Sequence, residues 1–199
     1  MAENELELQT AFDTVHKYCV VYKLFVNTSK TKIIVFSRGK VRRFPTFHYG
    51  DSIIEVVNDY IYLGVTMNYN NSFLKAIRKQ LDQARKAQFS LLIKARKLML
   101  PVDIQCTLFE SLVFPVLLYG CEVWGCHNTD MLEVFYRKFL KKLLNLRPST
   151  PNCMVYGEVG KFPLQVTIDK HVINYWLRIL NKDESTLAYK IYRISLNCF

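Results

Sequence analysis

The chain has 199 residues, half of them hydrophobic and 14% aromatic, which excludes disorder from low hydrophobicity and allows one domain or one and a half. Lys plus Arg number 27 against 17 Asp plus Glu, a net charge of +10 that favours an anionic partner, nucleic acid or an acidic membrane surface. The longest apolar run covers only residues 112–119, with Pro115 inside it, and the N-terminal MAENELELQT lacks a signal peptide's basic and apolar regions. An intracellular chain without a membrane span is expected, nucleus or cytoplasm left open.

Leu6, Ala11, Val15, Tyr18, Cys19 and Tyr22 recur at rough helical spacing and predict a first helix over 5–23. Residues 24–26 read as a short strand, and 27–30 as a turn in which Asn and Ser bond locally to backbone. The β-branched run 33–36 reads as a buried strand. Residues 37–40 turn again. Segments 44–49 and 53–57 predict a hairpin around Gly50 and Asp51, and 60–65 a further strand.

The period then becomes helical, starting at Ser72, a residue type that caps helices. Ile77, Leu81, Ala84, Leu91, Ala95 and Leu98 form an apolar stripe, with Gln88 in the missing place. Lys75, Arg78, Lys79, Arg85 and Lys86 fall opposite, giving an amphipathic helix with a basic back. Pro101 suits the first turn of the next helix, which runs to about Tyr119 with Ile104, Leu108, Leu112, Val116 and Leu117 on one face. Pro115 should kink it and Gly120 should end it in a left-handed cap. Thr129 or Asn128 caps a helix reaching about Leu146. Leu132, Phe135, Phe139 and Leu143 face inward there, and Arg137, Lys138, Lys141 and Lys142 outward. Residues 148–152 read as a rigid turn. Pro163 opens a helix through Val166, His171 or Val172, Trp176 and Ile179, and a last helix covers 185–195. The fold class is α+β: a short N-terminal helix plus a small antiparallel sheet, followed by an all-helical region. The divisions fall at 1–71, 72–147 and 148–199.

The charge is concentrated. Residues 16–48 carry Lys17, Lys23, Lys30, Lys32, Arg38, Lys40, Arg42 and Arg43 and no acid. Residues 73–100 carry eight bases and Asp82, and 137–147 carry Arg137, Lys138, Lys141, Lys142 and Arg147. Residues 101–136 hold five acids and no base. Discrete basic blocks suit a groove-lining surface better than a diffuse coat; the plainer reading is three solvated faces.

No active site emerges from the residues. The glycines form no phosphate-cradling loop, and no Gly-x-Ser-x-Gly elbow is present. Cys121, Cys126 and His127 cluster, but no second pair stands at a zinc spacing, so the six cysteines read as free thiols, mostly small core residues. His16, His48, His127 and His171 lack a nucleophile context. No two aspartates are adjacent, and Asp51, Glu55 and Asp59 read as turn residues and solvated charges.

Four stretches carry a resemblance. Leu24-Phe-Val-Asn-Thr-Ser-Lys-Thr-Lys-Ile-Ile-Val-Phe36 is similar to the segment that follows the catalytic box in reverse transcriptases of non-LTR (LINE-like) retrotransposons. Tyr60-Ile-Tyr-Leu-Gly64 resembles the family's next landmark. Leu118-Tyr-Gly-Cys-Glu-Val-Trp124 and Ser149-Thr-Pro-Asn-Cys-Met-Val-Tyr-Gly-Glu158 are similar to the region after its polymerase palm. Order and spacing fit across roughly residues 6–180.

The resemblance implies that residues to about 70 are the back of a palm and that a thumb and helical extension follow. Lys30 or Lys32 would stand near the incoming nucleotide. Tyr62, Leu63 and Gly64 would belong to a primer-grip-like hairpin. The basic helix at 73–98 would face the template–primer duplex, making RNA or an RNA–DNA duplex the partner. The family's Ala-Asp-Asp box precedes this region and is absent from the sequence, as are the fingers. A truncated reading frame is therefore expected, with no catalytic residues, no metal and no cofactor; Mg would serve only an intact member. Alone it should not polymerise. A competing reading makes it a host-recruited interaction module without a nucleic-acid role, with oligomeric state open. Strands at 33–36 and 60–65 are expected to lack neighbours, leaving residues 1–71 the less stable part.

Overall fold

The computed structural model describes residue 2 and residues 4–37, 45–127 and 129–196. Arg38, Lys40, Arg42, Arg43, Phe44, Asn128 and Cys198 lie outside the described residues, and with them the turn expected at 37–40. The fold is α+β, in two compact units, Met1–Ala76 and Ile77–Phe199.

In the first unit, helix α1 (Glu5–Val21) starts at Asn4, whose Oδ1 accepts from the Glu7 N–H at 2.8 Å. Its inward stripe is Leu8, Phe12, His16 and Cys19, while Leu6, Val15, Tyr18 and Tyr22 are exposed, contrary to expectation. The sheet decides this: Leu8 and Phe12 pack on Ile33, Phe47, Tyr49 and Ile54, and the His16 ring meets Tyr49 edge-on at 5.0 Å. Lys23 ends the helix at φ 53, with Leu24 N–H donating to Cys19 O at 2.8 Å and Lys23 N–H to Val20 O at 3.3 Å. This is a Schellman cap. Residues 24–26 therefore form no strand, since the cap takes their leading N–H and leaves Phe25 98% exposed. Asn27 then holds the expected turn, its Oδ1 accepting from Lys30 N–H at 3.1 Å and from the Ser29 hydroxyl at 2.6 Å.

Strand β1 (Lys32–Ile33) is shorter than the apolar run suggested. Strands β2 (Phe47–Tyr49) and β3 (Ser52–Val56) form the expected hairpin, with Tyr49 opposite Ser52 across Gly50 and Asp51. The order is β1-β3-β2, and β1 runs parallel to β3, so this sheet is not wholly antiparallel. The chain between β1 and β3 runs over residues 34–51 and includes β2, long enough for a parallel crossover. The outer edge of β2 is covered by one side chain: Gln9 Nε2 donates to His48 O at 2.9 Å and its Oε1 accepts from His48 N–H at 3.0 Å.

The single strand expected at 60–65 is a hairpin, β4 (Asp59–Tyr62) and β5 (Val65–Asn68). Leu63 at φ 47 and Gly64 at φ 85 make its two-residue turn, both left-handed as a type I′ turn requires. Leucine is no turn former, which conceals the turn in the sequence. Both strands thought to lack neighbours thus have them.

Helix α2 (Leu74–Lys97) begins after Ser72, whose hydroxyl oxygen accepts from Leu74 N–H at 3.5 Å. Ile77, Leu81, Ala84, Leu91 and Ala95 are buried as expected. Leu98 is exposed, because Met99 (φ 49) already turns the chain out of the helix.

Further along the second unit, the long helix expected from Pro101 is two, α3 (Val102–Leu112) and α4 (Phe114–Leu117). The break precedes Pro115, which has no N–H to give and whose ring would meet the carbonyl four residues back. Their buried residues are Cys106, Phe109, Val113 and Leu117; Ile104 and Leu112 are exposed. Gly120 is left-handed as expected (φ 71) and leads into α5 (Cys121–Trp124), which the sequence did not signal.

Helix α6 (Asp130–Leu143) buries Leu132, Phe135, Tyr136, Phe139 and Leu140. The Thr129 hydroxyl does not cap it but donates to Gln165 Oε1. Asn152, read as the end of a turn, instead starts α7 (Asn152–Val159). Helix α8 (Leu164–Leu180) follows Pro163 and packs on α5 and α6. It buries Leu164 and Ile168, while Val166 and Trp176 are exposed, so its inward face is also rotated from expectation. A Cβ on Gly125 would lie 2.6 Å from Ile168 Cγ2 and 2.5 Å from Cys121 O; the absent side chain lets α8 approach α5 closely. Helix α9 (Leu187–Leu196) closes the chain. Among the described residues no helix is long and apolar enough to cross a membrane.

Candidate nucleic-acid interface

The expected nucleic-acid contacts divide by what their charges already touch. Lys32 sits opposite Glu55 across β1 and β3 and pairs with it at 2.5 Å. Lys75 donates to Asp59 Oδ2. Arg85 pairs with Asp82 one turn back at 2.8 Å, both well exposed. Lys141 donates to Pro148 O at 2.7 Å, holding the chain after α6. Glu55 and Asp59 are thus ion-pair partners rather than merely solvated charges. The sequence pointed to neither, because each pairing joins different elements.

Among the described residues Lys30, Arg78, Lys79, Lys86, Arg137, Lys138 and Lys142 have no ion-pair partner. Lys30 lies exposed in the Asn27 turn of the first unit. Arg78, Lys79 and Lys86 stand on the back of α2, opposite its buried stripe, and Lys94, Arg96 and Lys97 extend that face. These last three also suit the negative end of the helix dipole. On α6, Lys138 and Lys142 are exposed one turn apart, and Arg137 is half-buried. Tyr62, Leu63 and Gly64 form the exposed tip of the β4–β5 hairpin, where leucine's left-handed backbone costs about 1 kcal/mol or more.

Asp59 anchors that hairpin. It accepts from Asn68 Nδ2 at 2.5 Å, its cross-strand partner, and from Lys75 at the start of α2. Lys75, and next Asn68, hold its carboxyl below the ordinary range. A carboxylate with a depressed folded value adds stability above its unfolded value and loses it as pH falls through the folded one. Protection of β4 and β5 amides should therefore fall below about pH 4, and Asp59→Asn should flatten that profile. Protection factors measured across this range check it; parent and variant profiles of equal slope would refute it.

Cys121 lies fully buried, and burial pushes its thiol up to about 12, whereas Cys126 and His127 are exposed. Cys19, Cys106, Cys121, Cys126 and Cys153 are free thiols.

No protein-family model matches the chain, and no solved structure matches it. The chain is 29% identical over 134 residues to an uncharacterized transposon-derived protein of Caenorhabditis elegans, an alignment that covers 64% of this chain and 47% of that protein. The chain therefore spans about half the length of the curated relative it matches. The similarity supports a transposable-element origin and is silent on polymerisation and on nucleic acid.

Proposed function

We propose that these residues are the region behind the catalytic box of a non-LTR retrotransposon reverse transcriptase, and that they hold RNA or an RNA–DNA duplex without polymerising on their own. The observation that carries this reading is the back of α2. Arg78, Lys79 and Lys86 stand there without acidic partners among the described residues, opposite a stripe already committed to the core. Lysines and arginines so placed contact phosphates, giving sequence-independent binding that weakens with salt. A Tyr-Leu-Gly element at a hairpin tip and a basic helix directly after it keep the order of the resemblance. No acid pair of the Asp-Asp type stands in the sequence to hold two metal ions, so we assign no catalytic residue.

Filter binding of an RNA–DNA hybrid across a salt series tests this. The logarithm of affinity should fall linearly with the logarithm of salt, and neutralising Arg78, Lys79 and Lys86 to Gln should lower the slope by about 1 for each cation removed. Lys32→Gln should change it least, because Glu55 already holds that charge. No binding at low salt, or binding without a slope, would sink the reading.

A second reading, an interaction module, is favoured by one observation: Tyr18, Val21, Tyr22 and Phe25 are exposed together at the end of α1. Light scattering after gel filtration separates the two, since a clean monomer speaks against obligate pairing.

A further inference from the structure

The solvent face of α2 is not uniformly charged. Phe89 is 68% exposed and Ile93 52%, one turn apart on the same side. Arg85 and Lys86 stand a turn before Phe89, and Arg96 and Lys97 a turn after Ile93, all exposed. An apolar pair is thus bracketed by cations at both ends. At 1.5 Å per residue, Arg85 and Lys97 are about 18 Å apart along the axis, the length of about five nucleotides of a stacked strand.

Folding does not account for the pair. Ile77, Leu81, Ala84, Leu91 and Ala95 already fill the buried side of this helix, and Phe89 lies outside their stripe. A phosphate backbone satisfies the four cations and gives a phenyl ring nothing. Along a regular duplex the base faces are stacked away, so the ring would rest against charge. An unpaired base offers its π-face, and every base has one. The Arg85–Asp82 pair is largely exposed, so a polyanion competes with it at little cost.

We propose that Phe89, backed by Ile93, is a stacking platform for a base of single-stranded RNA or DNA whose phosphates the bracketing Arg85, Lys86, Arg96 and Lys97 hold. This rests on the nucleic-acid reading above and deepens it: the site takes a strand that is unpaired at this point, as beside a template–primer junction.

The test is fluorescence anisotropy of the full chain with a labelled 20-nucleotide oligo-uridine and with a blunt RNA–DNA hybrid. Phe89→Ala should weaken oligo-uridine binding about tenfold to a hundredfold. It should leave the blunt hybrid within about twofold and the salt slope unchanged. Phe89→Trp should retain the affinity. Phe89→Leu, apolar but without a ring face, should lose it as alanine does. If the parent chain binds neither ligand, both this proposal and the nucleic-acid reading fail. If it binds both with a salt slope and Phe89→Ala is indistinguishable, only the stacking platform fails. Retention by Phe89→Leu would also overturn stacking, as would a Phe89-dependent dimer or phosphatidylserine-vesicle binding with oligo-uridine affinity untouched.

Discussion

Phe109→Ala should lower the stability of the second unit by about 3–5 kcal/mol, the range for removing a buried phenyl ring. Phe109 is completely buried and meets four other rings. Phe139 stacks on it at 3.9 Å between centroids, and Phe114, Tyr136 and Phe135 lie at 5.6, 5.8 and 6.1 Å. These rings come from α3, α4 and α6, so the missing side chain leaves a cavity that no single helix can close by shifting. Both tryptophans, Trp124 and Trp176, lie in this unit, so their fluorescence in a urea titration reports its unfolding. The midpoint should drop with the slope unchanged. Leu112→Ala is the control. Leu112 sits on the face that spacing alone nominates, yet it is exposed, and its loss should cost under about 1 kcal/mol. Equal costs for the two variants would place the core on the other face.

That contrast shows what the sequence conceals. Helix α3 and its cap Val113 carry two overlapping apolar stripes, Ile104–Leu108–Leu112 and Cys106–Phe109–Val113, and helical spacing cannot choose between them. The rings of α6 choose. The same ambiguity rotates α1 and α8, where apolar residues occur on several sides. In α2 the basic residues confine the long apolar stripe to one side, with Phe89 and Ile93 outside it, and there the reading holds from Ile77 to Ala95. Helix α7 gave no signal because Cys153, Met154, Val155 and Tyr156 are consecutive, without a period. The β2–β3 turn was legible in Gly50 and Asp51. The β4–β5 turn was not, since Leu63 takes a backbone conformation its residue type disfavours.

The cations of the candidate interface were legible as residue types on a helix back, because charge and period are both local. Their availability was not. Lys32 and Lys141 look as basic in the sequence as Lys86 and Lys138, but Glu55 and the Pro148 carbonyl reach them only through the fold. Phe89 escaped for the opposite reason. An aromatic residue among cations reads as a stray core position until exposure shows that the core does not use it.

Glu133→Ala should cost about 2–4 kcal/mol, the sum of leaving two donors unpaired and removing a charge from a helix start. Glu133 lies on α6 and joins two other helices. One carboxylate oxygen accepts from the Tyr156 hydroxyl of α7, and the other from the Gln165 N–H at 3.2 Å in the first turn of α8. Pro163, at the head of α8, supplies no side-chain cap, so the carboxylate of a different helix satisfies that turn and faces the positive end of its dipole. Burial, and next the Glu133 carboxylate, push the Tyr156 phenol above its ordinary value. Glu133→Gln keeps acceptor capacity and gives up the charge, and should cost about 1 kcal/mol. Tyr156→Phe removes one of the two donors, so the double variant with Glu133→Ala should lose less than the two singles together, by about 0.5–3 kcal/mol. Tryptophan-monitored urea midpoints of the four proteins measure this coupling. Strict additivity would mean that α6 and α7 are held by their apolar contacts alone, and that the carboxylate serves only the start of α8.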